Sequence, residues 1–305
     1  METTKKAKWL TEKRRTALSA YLFISPFFIL FAIFGLFPMI FSFYLSFFRW
    51  DGLNPMTFNG FDNFKFILND PVFYSAIKNT FIIGLLGTLP QIIVAIIIAF
   101  ALNSTLIRFR NTFRTFIFLP YITSIVAVAI IFGVVFNNQP FGFANYVLSF
   151  FDMGPIRWNA EYWPVKIAIA TMVFWRWVGY NTIIFLAGMQ SIPRELYEAA
   201  KIDGATLFQQ IRLITLPMLK PITMFVVFTA TIGSLQLFTE PLIFLGRGLR
   251  EEGITMVAYL WRDAFVYNSF GTASAAAIVL FFIIITLTAI NLFITNRIGR
   301  SKKVS

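Results

Sequence analysis

The sequence predicts an all-α fold, a polytopic membrane protein built as a six-transmembrane-helix bundle. Two observations carry that expectation. Hydrophobic residues occupy 58% of the 305 positions and charged residues only 13%, and the mean hydropathy is +0.73, a balance that soluble domains do not show. The apolar residues are also gathered into stretches long enough for a hydrocarbon layer about 30 Å thick, at about 1.5 Å of rise per helical residue. Those stretches run over residues 17–48, 81–102, 115–136, 165–189, 222–245 and 272–295.

The first stretch follows a basic arm, residues 1–16, and is too long for the apolar region of a signal peptide, with no small-x-small cleavage site, so it reads as a retained span. Pro26 and Pro38 predict a kink in it. The second and sixth stretches carry no charge. The third contains the FLPY turn with Tyr121, the fourth contains Arg176 among aromatics, and the fifth carries a polar stripe. The membrane domain thus spans 17–296, with a core of about 73–296 and a tail at 297–305. The loop at 51–69, with Gly52, Asn54, Pro55, Asn59 and Gly60, reads as irregular.

Basic residues set the orientation. Lys5, Lys6, Lys8, Lys13, Arg14, Arg15, Arg108, Arg110, Arg114, Arg194, Lys201, Arg212, Lys220, Arg297, Arg300, Lys302 and Lys303 fall on one side. Only Arg49, Lys65, Arg157, Arg247, Arg250 and Arg262 fall on the other. Both termini and the loop at 190–221 are therefore expected in the cytoplasm, with Trp50, Trp158, Trp163 and Trp261 near the outer boundaries. The net charge of +12 follows from this asymmetry, and nucleic acid is not expected as a partner.

Composition also excludes chemistry. The chain has no cysteine and no histidine, which removes disulfides, thiolate or imidazole metal sites, and triads built on His or Cys. No G-x-x-x-x-G-K-S/T stretch occurs, so the chain has no phosphate cradle of its own. No enzymatic activity, metal or cofactor is expected in this chain.

The sharpest signal is the polar segment SIPRELYEAAKIDGATLFQQIRLITLPMLKP at 191–221. It reads as two short helices. Ser191 is placed to cap the first, Pro193 suits its first turn, and Gly204 ends it. Thr206 with Gln209 has capping-box spacing for the second, which Pro217 and Pro221 limit. Leu207, Ile211 and Ile214, at i, i+4 and i+7, are expected to pack that helix against the spans.

Within this segment Glu198, Ala199, Ala200, Gly204, Ile214, Leu216 and Pro217 satisfy the pattern E-A-A, three residues, Gly, nine residues, I-x-L-P. The pattern resembles the cytoplasmic coupling loop of the membrane subunits of binding-protein-dependent ABC importers. The wording ELYEAAKIDGA is most similar to the carbohydrate branch, the relatives of the maltose and glycerol-3-phosphate permeases. The resemblance implies a type I ABC importer permease, working by alternating access in a bacterial or archaeal cell membrane. It implies as partners a second homologous permease, two copies of an ATPase that bind ATP and Mg, an extracytoplasmic solute-binding protein and a sugar. It further implies that Glu195, Glu198, Ala199, Ala200, Asp203, Gly204 and Ala205 meet the ATPase, the alanines allowing close approach and the glycine the turn.

The spans supply candidates for a solute pathway. Thr229, Gly233, Gln236 and Glu240 recur at three- to four-residue intervals on one helix face. Gln236 suits a cavity, whereas Thr229 and Gly233 serve equally well in a small-residue packing stripe. Arg176 is too costly to face lipid, at about 2.5–3.5 kcal/mol by insertion scales, and must meet a cavity or a partner. It lies near the midplane and Glu240 roughly 9 Å farther out, which argues against a direct pair. Trp177, Tyr180 and Tyr121 offer aromatic faces for sugar rings or for interhelical packing, with Asn181 beside them. An amino-acid or phosphate permease and a secondary transporter are the competing readings. The latter needs ionisable groups deep in several spans, and the second and sixth have none.

Overall fold

The computed structural model describes residues 2–104, 108–246 and 249–300, with side chains described from residue 12 to residue 293 within those stretches. The expected orienting cations Arg247, Lys302 and Lys303, the side chains of Lys5, Lys6, Lys8, Arg297 and Arg300, and the end of the 297–305 tail lie outside the described residues.

Among the described residues the regular structure is helical, apart from a short antiparallel ribbon that pairs Phe48 with Phe58 and Arg49 with Thr57. Helix α1 (Glu2–Phe31) passes through a π-turn at Ala32–Leu36 into α2 (Phe37–Leu45). The turn falls where Pro38 lacks the N–H that an α-helical bond to Phe34 would need, so the kink expected from the prolines is a local widening of the helix. The ribbon strands β1 (Phe48–Arg49) and β2 (Thr57–Phe58) lead to α3 (Asp62–Asn69). Helix α4 (Pro71–Asn103) begins ten residues earlier than the apolar run, because Asp70 caps it by accepting from the Val72 amide and Pro71 opens its first turn.

The third apolar stretch does not form one helix. Helix α5 (Arg110–Ile122) and α6 (Ile125–Val135) meet at 92°. Pro120 weakens the end of α5, and Thr123 and Ser124 are both extended, so the expectation of a continuous span over 115–136 is corrected to a broken one. After α7 (Phe143–Ser149) comes α8 (Tyr162–Gln190), then the short helices α9 (Arg194–Ile202), α10 (Leu207–Gln210) and α11 (Leu216–Met218). The fifth stretch is also interrupted: α12 (Lys220–Leu235) gives way at Gln236–Phe238 to α13 (Thr239–Leu245). Helices α14 (Met256–Phe265) and α15 (Phe270–Arg300) are the last of the described elements. Among the described residues, five helical segments are long and apolar enough to cross a membrane, or six when the bent α5–α6 pair counts as one span.

Helices α4 and α8 form the central seam, α5 packs on α8, α12 packs on both, and α15 packs against α12 and α14. The seam is close because its residues are small: Ala95 and Ala99 of α4 meet Phe185, Leu186 and Met189 of α8, and a Cβ on Gly87 would lie 3.2 Å from the Ala170 carbonyl oxygen. At the end that carries α14, Tyr259 is fully buried and donates to Asp70 at 2.7 Å. Burial beside Asp70 pushes the neighbouring Asp263 carboxyl up to about 6.

Helix α5 crosses α8 so closely that a Cβ on Gly179 would overlap the Ile117 carbonyl oxygen. Gly179→Ala must therefore push α5 off α8. It is expected to destabilise the protein by about 1–3 kcal/mol, the usual range for overpacking. Thermal melting of the purified protein should show a lower midpoint for this variant than for Gly133→Ala, whose added Cβ would meet nothing within 4 Å.

Candidate functional site

Both interruptions open onto one cavity of about 460 Å³. It is lined by Thr88 and Gln91 from α4, Tyr121 and Ile125 at the α5–α6 break, and Val173, Arg176, Trp177, Tyr180 and Asn181 from α8. Residues from Thr229 to Glu240 along α12, its break and α13 close the other side. A membrane-embedded chain can leave backbone unwound only where protein or a wet cavity meets it, so breaks and cavity belong together.

Every residue that the sequence offered for the pathway lines this cavity: Tyr121, Arg176, Trp177, Tyr180, Asn181, Thr229, Gly233, Gln236 and Glu240. The supposed helical face is not continuous, however. Gln236 terminates α12, and Glu240 belongs to the first turn of α13. Sequence reasoning passed over Thr88, Gln91 and Ser234. Gln91 carried a usable signal, since a polar residue in an otherwise apolar, uncharged span is uncommon, and it is 2% exposed here.

One wall is aromatic. Tyr121 and Tyr180 stack with ring centroids 4.5 Å apart, Trp177 stands edge-on to Tyr121 at 5.2 Å, and Trp177 and Tyr180 are 5.6 Å apart. The Arg176 guanidinium carbon lies 5.9 Å from the Tyr121 ring and 5.8 Å from Trp177, within cation–π range. Its Nε has no hydrogen-bond partner. Glu240 is 4% exposed, and among the described residues no Arg176–Glu240 ion pair forms within 4.0 Å. The cavity thus holds a cation, a carboxylate, amides and hydroxyls beside a flat aromatic surface. That set can donate to and accept from a polyol while stacking on its apolar ring faces.

The second candidate is the segment between α8 and α12. Ser191 does not cap α9. Its hydroxyl donates back to the Gly188 carbonyl at 2.8 Å, at the end of α8, and Pro193 stands at the N-cap of α9. Gly204, at φ +77°, ends α9 in a Schellman turn: its amide donates to Lys201 and the Ala205 amide to Ala200. The Thr206–Gln209 capping box is present. Tyr197 and Thr215 hydroxyls meet at 2.8 Å, and the Gln210 amide donates to the Ala205 carbonyl at 3.0 Å, which braces the two short helices against each other.

Leu207 departs from expectation: it is 64% exposed, with Ile202 at 87% and Phe208 at 69%. The reason is a π-turn at Ile211–Thr215, which shifts the buried face to Gln210, Thr215 and Leu219. Glu195, Glu198, Ala199, Asp203 and Gly204 are exposed, and Ala200 and Ala205 half-buried.

A bundle with a polar cavity at its helix interruptions and an exposed, braced helix–turn–helix at one end has the architecture of a membrane permease. The chain belongs to the binding-protein-dependent transport system inner membrane component family, whose sequence model matches residues 91–300. It is 33% identical to the arabinooligosaccharides transport system permease protein of Halalkalibacterium halodurans, over 97% of this chain and 93% of that one. It is 34% identical to the lactose transport system permease protein of Rhizobium radiobacter, over 95% of this chain and 97% of the relative. Among solved structures, a chain of a bacterial ABC transporter involved in the import of the acidic polysaccharide alginate matches with a TM-score of 0.81 and 27% identity, covering 96% of this chain and 99% of that one. The fold is that of the type I ABC importer permeases.

Nothing lies within 4 Å of the Cβ that a substitution at Gly204 would add, so its backbone conformation alone requires glycine there. Gly204→Val should strain the turn by about 1–2 kcal/mol and speed hydrogen exchange of the Ala205 amide by roughly 5–30-fold. Gly204→Asn, which tolerates the left-handed region, should exchange nearly as the parent does.

Proposed function

We propose that this chain is the translocation-pathway subunit of an ATP-driven, binding-protein-dependent importer of a carbohydrate, an oligosaccharide or related sugar. The observation that carries the proposal is the cavity, in which an aromatic platform of Tyr121, Trp177 and Tyr180 faces polar and charged groups at two helix interruptions. The names of the relatives, which specify arabinooligosaccharides and lactose, and the alginate importer support a sugar as the solute.

ATP hydrolysis, with its Mg, belongs in this reading to two copies of a separate ATPase. Its contact is the α9–Gly204–α10 segment, with Glu195, Glu198, Ala199, Ala200, Asp203, Gly204 and Ala205 at the docking surface. A second, homologous permease completes the cavity. An extracytoplasmic solute-binding protein delivers the sugar, as a related importer has been seen in complex with a pentasaccharide-bound periplasmic protein. The basic residues orient the chain with both termini and the α9 segment in the cytoplasm. Alternating access follows when ATPase closure moves the α9 segment and the attached helices rock around the site.

The test of the solute site is Gln236→Leu, which removes hydrogen-bonding capacity from the cavity without much change in volume. In proteoliposomes with saturating loaded binding protein, the sugar uptake rate should fall by roughly 2–10-fold, the equivalent of a lost hydrogen bond of about 0.5–1.5 kcal/mol. Basal ATP hydrolysis and complex assembly should be unchanged. Uptake equal to that of the parent would assign the polar stripe to packing.

Orientation has its own test, made simple by the absence of native cysteine. In intact cells an impermeant thiol reagent should label Arg157→Cys and spare Glu198→Cys. The reverse labelling would put the α9 segment outside and remove its contact with an ATPase.

A further inference from the structure

Between α6 and α8 the chain forms a short excursion whose apolar side is turned away from the protein. Helix α7 exposes Phe143 (64%), Tyr146 (55%), Val147 (39%) and, just past its end, Phe150 (69%). Their spacing is i, i+3, i+4 and i+7, one stripe along a helix. The opposite side is pinned by Asn145, which is 2% exposed and uses its whole side chain. Its amide donates to the carbonyls of Asn137, Gln139 and Ile156, and its oxygen accepts from the Ile156 amide and the Trp158 indole. A fold in which the polar hub faces inward and the phenylalanines face outward is inverted relative to a segment that lies in water.

We infer that α7 is an in-plane anchor seated in the headgroup region of the bilayer, with Phe143, Tyr146, Val147 and Phe150 inserted among lipid chains. The depth of the helix is fixed by the protein. Asn145 ties it to Ile156 and Trp158, and the Trp158 ring packs at a tilt against Phe136, with centroids 4.9 Å apart. It therefore sits within a few residues of the start of α8, where Tyr162 and Trp163 are 37% and 55% exposed, as expected of aromatic residues at the end of a span. Exposed apolar residues thus run from the first turns of α8, where Ile167 is 46% exposed, to α7.

Length and charge favour lipid as the occupant. Seven helical residues rise only about 10 Å, too short to cross a bilayer but suited to lying along its surface. Between residues 138 and 156 the one charged side chain is Asp152, so the stripe lacks the polar rim of a surface that is wetted each time a soluble carrier leaves. Lipid never leaves, and it covers the stripe throughout a transport cycle.

Spin labels at Val147→Cys and Phe150→Cys, in the assembled importer in phosphatidylethanolamine–phosphatidylglycerol nanodiscs, test this. Collision with oxygen should dominate over collision with a water-soluble nickel chelate at both positions, and the reverse should hold at Arg157→Cys. Nickel access at Val147 and Phe150 equal to that at Arg157 would show a wet face and overturn the proposal. Exclusion of both reagents would assign the face to a protein partner, the second permease or the solute-binding protein, and overturn it equally. Both substitutions fall on exposed positions, uptake by each variant verifies its assembly, and either position alone gives the same readout.

Discussion

An interrupted helix inside a membrane frees backbone amides and carbonyls that no water is at hand to satisfy, and much of this structure exists to meet that constraint. Where α12 breaks before α13, the Leu237 carbonyl accepts from the hydroxyl of Thr255, a residue with no exposed surface, at 2.6 Å. Thr255 can do so only because the segment before α14 is itself held. Asn79 donates to the carbonyls of Glu251 and Ile254, Thr80 accepts from the Met256 amide, and Lys166 donates to Glu252. Two helices of the central seam thus fix a loop, and the loop fixes the break that shapes the cavity. Loss of any of these side chains would leave a buried group unsatisfied, a cost of about 1–3 kcal/mol.

The same accounting separates the intramembrane charges into two kinds. Lys166 is fully buried, yet its ammonium group donates to the carbonyls of Tyr162 and Glu252 and lies 3.2 Å from the centroid of the Tyr162 ring. It is spent on structure. Arg176 and Glu240 are not: one has an Nε without a partner, the two form no ion pair with each other, and both face the cavity. Ionisable groups at such depth persist where a ligand or a wet path meets them. Both charges thus keep hydrogen-bonding capacity at the wall of the cavity.

Legibility in the sequence followed the range of the interaction. The turn at Gly204 and the Thr206–Gln209 box are local, so their residues could be read directly, and the nine cavity-lining residues could be found because all but Gly233 are polar or aromatic side chains within apolar runs. Ser191 misled because a serine between two helices can serve either, and here it closes α8. Leu207 misled because a π-turn four residues later breaks the 3.6-residue period from which its burial was inferred. The 92° bend between α5 and α6 was hidden because Thr123 and Ser124 are compatible with a helix, and Pro120, which weakens the end of α5, does not by itself fix where a helix stops. Helix α7 went unnoticed for a related reason, since its apolar stripe faces outward and its inward side depends on one asparagine.

The α9–α11 segment is more than an exposed loop, because its parts are fixed to each other and then to the seam. The Schellman turn, the capping box, the Tyr197–Thr215 contact and the Gln210–Ala205 hydrogen bond remove the internal freedom that would let it absorb a push. Leu219, with no exposed surface, then roots it among Phe185, Leu186 and Met189 at the end of α8 and Val226 of α12. Those two helices are the ones that carry Arg176, Trp177 and Tyr180 on one side of the cavity and Thr229 through Gln236 on the other. A displacement applied at α9 therefore has a short mechanical route to both walls through close-packed side chains, which transmit strain because protein interiors are dense and compress little. The bracing of the segment and the placement of the cavity are two consequences of the same pair of helices.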